Sequence, residues 1–240
     1  MWYYFYMSKS ELESATLFTP GRSSYLDEEG ILQLSEGSHH RAAIAMATFD
    51  ENFHDSAVFS GGFPGLSQGW DESLTPPIDR REAHLMALPL AERLEREGKT
   101  VEEIKNLIKI QGDSDSSFSD VIVAIDKGIL DPNSFNTDNT HGINLVAGAF
   151  HGRRFSLILS KALDIDASRI QRVAMTDIYG TPEHPKRASE SAAKAFITEL
   201  GAITITQHVL RDVKNGDLEG LKDAEQQFID IYERLRRLTK

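Results

Sequence analysis

Short apolar stretches alternate with helical periodicity along most of the chain. The clearest stretch is Ala57-Val58-Phe59, which stops at Ser60-Gly61-Gly62. A strand that halts on glycines, with a helical pattern after a polar loop, delivers backbone N–H groups to the carboxyl edge of a parallel sheet. Upstream, Ser14 to Thr19 predicts a first strand, closed by the turn-rich Pro20-Gly21-Arg22-Ser23-Ser24. Ser38 then reads as the N-cap of a helix carrying Ala42, Ala43, Ile44, Ala45, Met46, Ala47 and Phe49. The second strand is Ser56 to Ser60, and the loop 61–78 after it is rich in glycine and proline and holds Trp70. Asp79 and Glu82 have capping-box spacing. They open a helix from Arg80 to Glu97, with Ala83, Met86, Ala87, Leu90 and Leu94 on one face and Pro89 as a kink site.

Between residues 98 and 130 the pattern is weaker. Thr100 with Glu103 predicts a capped helix through Ile104, Leu107 and Ile108, and Gly112 to Ser117 reads as a loop. Val121 to Ile125 fits a β-branched strand or half of a helix running to Lys127. Taking the helix leaves Ile129-Leu130 as a short third strand. After Asp131 to Thr137 a helical pattern then runs to about Leu163 through Ile143, Val146, Phe150, Leu157 and Ile158. Gln171 to Thr176 predicts a strand ending at Asp177, Pro185 to Leu200 a helix, and Ala202 to Thr206 a last strand. Residues 217–238 form an amphipathic helical pattern with Leu218, Leu221, Phe228, Ile231, Leu235 and Leu238 on its apolar stripe. Alternating strands and helices imply an α/β fold: a Rossmann-like, mostly parallel sheet with helices on both faces. That domain spans 8–206, and a C-terminal helical extension over 207–240 packs on it, in a monomer or homodimer.

Composition narrows the function classes. At 240 residues, 40% hydrophobic and 26% charged, the chain has material for one large α/β domain. A net charge of −11 argues against a nucleic-acid partner, while leaving room for a local basic pocket. The absence of cysteine removes disulfides, thiol catalysis and cysteine-based zinc sites, and fits a cytoplasmic protein. The aromatic start, Met1 to Met7, is too short to span a membrane and lacks a signal peptide's basic region, so no membrane anchor is expected. Met7 is an alternative natural start.

The motifs with known chemistry are mostly absent. Gly65-Leu66-Ser67-Gln68-Gly69 matches a nucleophile elbow in letters, but the required strand and helix do not flank it. The glycines form neither dinucleotide nor P-loop fingerprints. The histidines show no metal-ligand spacing, and no metal is expected. His184-Pro185-Lys186-Arg187 follows a predicted strand and opens a predicted helix, a place that attracts anions. Asn136-Thr137-Asp138-Asn139 reads as a further strand-to-helix junction, where its short polar side chains cap a helix or bind a ligand.

In this order the junctions resemble the DUF218 family. Its pattern is a strand ending in Ser-Gly-Gly, a Glu-Ala helix, Glu-x-x-Ser-x-Asn-Thr, then a strand followed by His and Arg. The matching islands are Ser60-Gly61-Gly62, Glu82-Ala83, Asp131 to Thr137, and His184 with Arg187; Asp131 stands where the family has Glu. The resemblance implies a crevice at the strand ends and a small-molecule ligand, with S-adenosylmethionine as the ligand associated with the soluble YdcF-like branch. The expected catalytic residues are His184 as general acid or base and Glu82, with Glu82 or Asp131 orienting His184 or binding ligand hydroxyls. The expected ligand-binding residues are Gly21, Arg22, Arg41, Ser60, Gly61, Gly62, Asp131, Ser134, Asn136, Thr137, Asp177 and Arg187. Gly61 and Gly62 would offer backbone donors, Asn136 and Thr137 hydrogen bonds, and the arginines positive charge.

Overall fold

The computed structural model describes residues 12–21, 24–26, 32–62, 81–114, 116–137, 140–175 and 192–238. Strand β1 (Ser14–Pro20) leads into a small antiparallel pair, β2 (Ser24–Leu26) with β3 (Leu32–Leu34). Then follow α1 (Glu36–Thr48), β4 (His54–Ser60), α2 (Glu82–Arg96), α3 (Val101–Leu107), β5 (Ile108–Gln111), α4 (Ser117–Asp126), α5 (Pro132–Thr137), β6 (His141–Gly148) and α6 (Ala149–Leu163). The chain ends with β7 (Ile170–Met175), α7 (Ala192–Leu210) and α8 (Leu218–Leu238).

Five strands form one all-parallel sheet in the order β5-β4-β1-β6-β7. The chain builds outward from β1 to β5, returns to the far side of β1, and builds outward again to β7. The reversal falls between β1 and β6, and in a doubly wound sheet ligands bind outside the carboxyl ends of the strands at that point. One face packs Leu17, Ala57, Phe59 and Val146 against Ala42 and Ala45 of α1 and Met86 and Leu90 of α2. The other packs Phe18, Val58, Ile143 and Leu145 against α4, α6, α7 and α8. The fold is thus Rossmann-like, with helices on both faces. Among the described residues no helix is long and apolar enough to cross a membrane.

Several elements differ from the sequence expectation. Residues 141–148 are a strand, not part of a helix running from beyond Thr137 to Leu163. Every residue of β6 is buried because both faces are covered. Its apolar run therefore has no period of two, and periodicity alone does not separate it from a buried helix. The α3 helix stops at Leu107, and Ile108 starts β5 by pairing with Ala57. The third strand is thus β5, whereas Ile129-Leu130 is a bend after α4. Ala202 to Thr206 continues α7. Thr204 and Thr206 tolerate the helix by donating their hydroxyls to the Leu200 and Ala202 carbonyls at 2.9 and 2.8 Å. The boundary at 206/207 falls inside that same helix. The N-cap of α1 is Ser35, one turn before Ser38. The helix at Val121 to Ile125 and the Thr100–Glu103 capping box are as expected. Asp79 lies outside the described residues, and α2 begins at Glu82.

The amino edge of the sheet closes on itself. His54 stacks on Phe49 and meets Phe53 edge-on, with centroids 5.6 and 5.0 Å away. Its Nδ1 lies 3.0 Å from the Asp50 backbone nitrogen, and its Nε2 lies 2.9 Å from the Asn144 side-chain amide. Burial lowers the His54 pKa from its ordinary 6.5, against the raising effect of its contact with Asp50. The unfolded state therefore takes up a proton that the folded state refuses, and stability is lost as pH falls below about 6.5. Urea midpoints at pH 7.5 and 5.5 should drop on acidification, and His54→Gln should shrink that drop; an undiminished drop assigns it elsewhere.

Candidate functional site

The carboxyl edge is assembled around glycines. Where β1 and β4 end, the Gly21 N–H donates to the Ser60 carbonyl, and the Gly61 N–H to the Gln111 carbonyl at 3.0 Å. The Gly61 carbonyl accepts from the Ala83 N–H at the start of α2. Gly61 has φ +145°, and a Cβ there would lie 3.1 Å from Glu82 Oε2 and 3.2 Å from Gly21 Cα. A Cβ on Gly62 would strike the Ser114 and Gly112 carbonyl oxygens. These glycines let the 112–114 loop and the Glu82 side chain close over the strand ends.

Three charged side chains are buried at this edge: Arg41 at 0%, Glu82 at 5% and Asp120 at 7% exposure. Arg41 Nη1 donates to the Pro20 and Gly21 carbonyls at 2.7 and 2.8 Å. Its Nη2 donates to His151 Nδ1 at 2.8 Å. A guanidinium only donates, so Nδ1 is the acceptor and Nε2–H faces Ser117 Oγ at 3.1 Å. Arg154 Nη2 donates to the same hydroxyl at 2.6 Å. Glu82 opens α2, and its Oε1 accepts from Ser38 Oγ at 2.6 Å. Asp120 Oδ1 accepts from Ser60 Oγ at 2.8 Å and from Ser114 Oγ. Burial pushes the Asp120 carboxyl up to about 7. The two hydroxyls pull it down, the Glu82 charge pushes it up, and Arg41 pulls it down. A buried carboxyl that titrates near neutrality is suited to proton transfer or to sensing a ligand's charge.

The structure brings together six of the expected residues: Gly21, Arg41, Ser60, Gly61, Gly62 and Glu82. Their roles are partly different. The Gly61 N–H serves the Gln111 carbonyl, the Ser60 hydroxyl serves Asp120, and the guanidinium of Arg41 clamps the end of β1. Asp131, Ser134, Asn136 and Thr137 belong elsewhere. They lie exposed, Asp131 just before α5 and the others on it, and α5 leads into the amino end of β6, at the opposite edge of the sheet. There the residues cap their own turn: Asp131 Oδ1 accepts from the Asn133 N–H, Ser134 donates to the Asp131 carbonyl, and Thr137 to the Asn133 carbonyl. Their placement at a strand-to-helix junction is therefore corrected to a helix-to-strand one. Arg22, Asp177, His184, Arg187 and Ser67 lie outside the described residues.

Sequence reasoning missed Asp120, Ser114, Ser117, His151 and Arg154. The signal for the last two was present: an apolar run, Ile143 to Ala147, followed by Gly148 and then His151 and Arg154. It was hidden once that run was assigned to a helix. Asp120 was hidden because it precedes an apolar helical face, Val121 to Ile125, where one acid reads as solvated. Among the described residues no group of three or more His, Cys, Asp or Glu is placed to hold a metal ion. The architecture is that of a doubly wound α/β protein with charged side chains buried at the carboxyl edge of its sheet. Comparison of the chain with protein-family models, curated proteins and solved structures gives no match.

Two outcomes follow from this geometry. Gly62→Ala forces a Cβ against backbone carbonyls and should cost about 1–3 kcal/mol, read as a lower urea midpoint. For Asp120, the unfolded carboxyl ionises near 3.8 and the folded one near 7. Its stabilising contribution is complete below about pH 3.8 and is lost as pH rises through 7. Asp120→Asn should therefore gain stability relative to wild type between pH 4.5 and pH 8, by up to about 3 kcal/mol. Parallel pH–stability curves for the two proteins would remove Asp120 as the titrating group.

Proposed function

We propose that the chain binds a small polar ligand of the S-adenosylmethionine or nucleotide class in the crevice outside β1 and β6, as a DUF218-like protein. The observation that carries this is the burial of Arg41, Glu82 and Asp120 at the carboxyl edge of the sheet, with Arg41 reaching across the switch point to His151. Burying three charged groups together is costly, and a core built for stability alone has cheaper solutions. The chemistry of the donor set fits: carboxyl oxygens accept from ribose hydroxyls and from an ammonium, and their charge favours a sulfonium nearby. In this proposal Glu82 and the ionised form of Asp120 face the ligand, Ser114 and Ser117 add hydroxyls, and Arg154 meets a carboxylate or phosphate. The family resemblance read from Ser60-Gly61-Gly62 and Glu82-Ala83 supports it, since those residues meet at this edge.

Titration calorimetry with S-adenosylmethionine at pH 7.5 tests the proposal. Wild type should bind, Glu82→Gln should bind at least about tenfold more weakly, a loss of about 1.4 kcal/mol, and Asn136→Ala should bind as wild type. Absence of heat with the wild type counts against this ligand class. A second reading, binding without turnover, is favoured by one contact pattern: both ring nitrogens of His151 are engaged, by Arg41 and Ser117. Mass spectrometry of the incubated ligand separates the two, since only an enzyme converts it.

A further inference from the structure

Arg154 lies one turn beyond His151 on α6, where α4, α7 and α8 meet it. Besides its bond to Ser117, its Nη1 is 3.8 Å from Glu199 Oε2 on α7. Its guanidinium carbon stands 5.8 Å from the centroid of the Phe228 ring on α8. The side chain is 14% exposed, and its Nε is buried with no hydrogen-bond partner among the described residues. A guanidinium with an incomplete set of hydrogen bonds is aimed by the aromatic face it rests on. Phe228 is itself fixed, tilted against Phe118 at 5.6 Å and stacked on Tyr232 at 5.7 Å. One turn before it, Glu225 accepts a hydrogen bond from Ser116, the N-cap of α4 and the neighbour of Ser117.

We infer that α8 is a positioning element of the site: the Phe228 ring aims Arg154 at Ser117, and Ser117 so held keeps the His151 Nε2–H bonded while Arg41 holds Nδ1. Contacts then run unbroken from α8 through Phe228, Arg154, Ser117, His151 and Arg41 to the end of β1. The C-terminal helix thus supports the side chains gathered at the carboxyl edge. The inference concerns the residues proposed above to meet a ligand, but its test reads the side chains themselves and needs no ligand.

The test is solvent exchange of the His151 Nε2–H and Arg154 Nε–H hydrogens, followed by 1H–15N spectroscopy of the full chain. Both should be protected in wild type. Phe228→Leu keeps apolar bulk but removes the aromatic face, and should speed exchange at both by about tenfold or more. Phe228→Tyr keeps the face and should restore protection. A folded Phe228→Leu protein with unchanged exchange overturns the inference, as does a wild-type His151 ring with no hydrogen on Nε2. Should Phe228→Leu fail to fold, Arg154→Lys provides the second arm. It keeps the charge but loses the planar fork, so the His151 Nε2–H should lose protection, and retained protection overturns the inference equally.

Discussion

The carboxyl edge of this sheet depends on one buried guanidinium. Arg41 is fully enclosed, and a charge so placed is tolerable only when its donors meet acceptors of fixed geometry. It finds them in the Pro20 and Gly21 carbonyls, which are free because β1 ends there, and in His151 across the switch point. One side chain of α1 thus joins the central strand to the first turn of α6. The two halves of the doubly wound sheet are tied where their winding reverses.

That tie creates an electrostatic neighbourhood into which two acids are folded. Glu82 sits over Gly21 and Gly61, close enough that a Cβ on Gly21 would lie 2.5 Å from its carboxyl. Asp120 approaches from α4 and is held by hydroxyls from β4 and from the 112–114 loop. The amino edge is different in kind. His141 there meets Ser14 at 2.8 Å, Thr16 at 3.2 Å and Asp55 at 3.5 Å, and Arg169 donates to the carbonyls of Phe135 and His141. Those groups join strands and loops to one another. At the carboxyl edge, an enclosed cation and two enclosed acids lie together, and burial pushes the Asp120 carboxyl up to about 7. This contrast separates an edge that joins strands and loops from an edge that encloses titratable charge.

Much of the sheet was legible in local pattern. The strands at Ser14, Ser56 and Gln171 announce themselves by short apolar runs bounded by turn residues, and α2 and α8 by one-sided periodicity. The misreadings share a cause. β6 is covered on both faces and so carries no alternation, and α7 contains β-branched residues that its packing and threonine back-bonds tolerate. Calling β6 a helix moved Asn136 and Thr137 to the wrong edge and concealed His151 and Arg154.

Alone, the sequence determined the fold class, the glycine stop at Ser60-Gly61-Gly62, and Glu82 as the acid that opens the next helix. These are local: a strand end, a φ only glycine adopts comfortably, a helix start. Only the tertiary structure decided what those glycines do. They admit Glu82 and the 112–114 loop to van der Waals range, and at least one of their N–H groups is spent on the neighbouring strand. It also decided that Asp120, Ser117, His151 and Arg154, far apart in the chain, share that edge. Which edge of a parallel sheet a residue occupies depends on the direction of the strand beside it. A buried strand hides that direction from its own sequence.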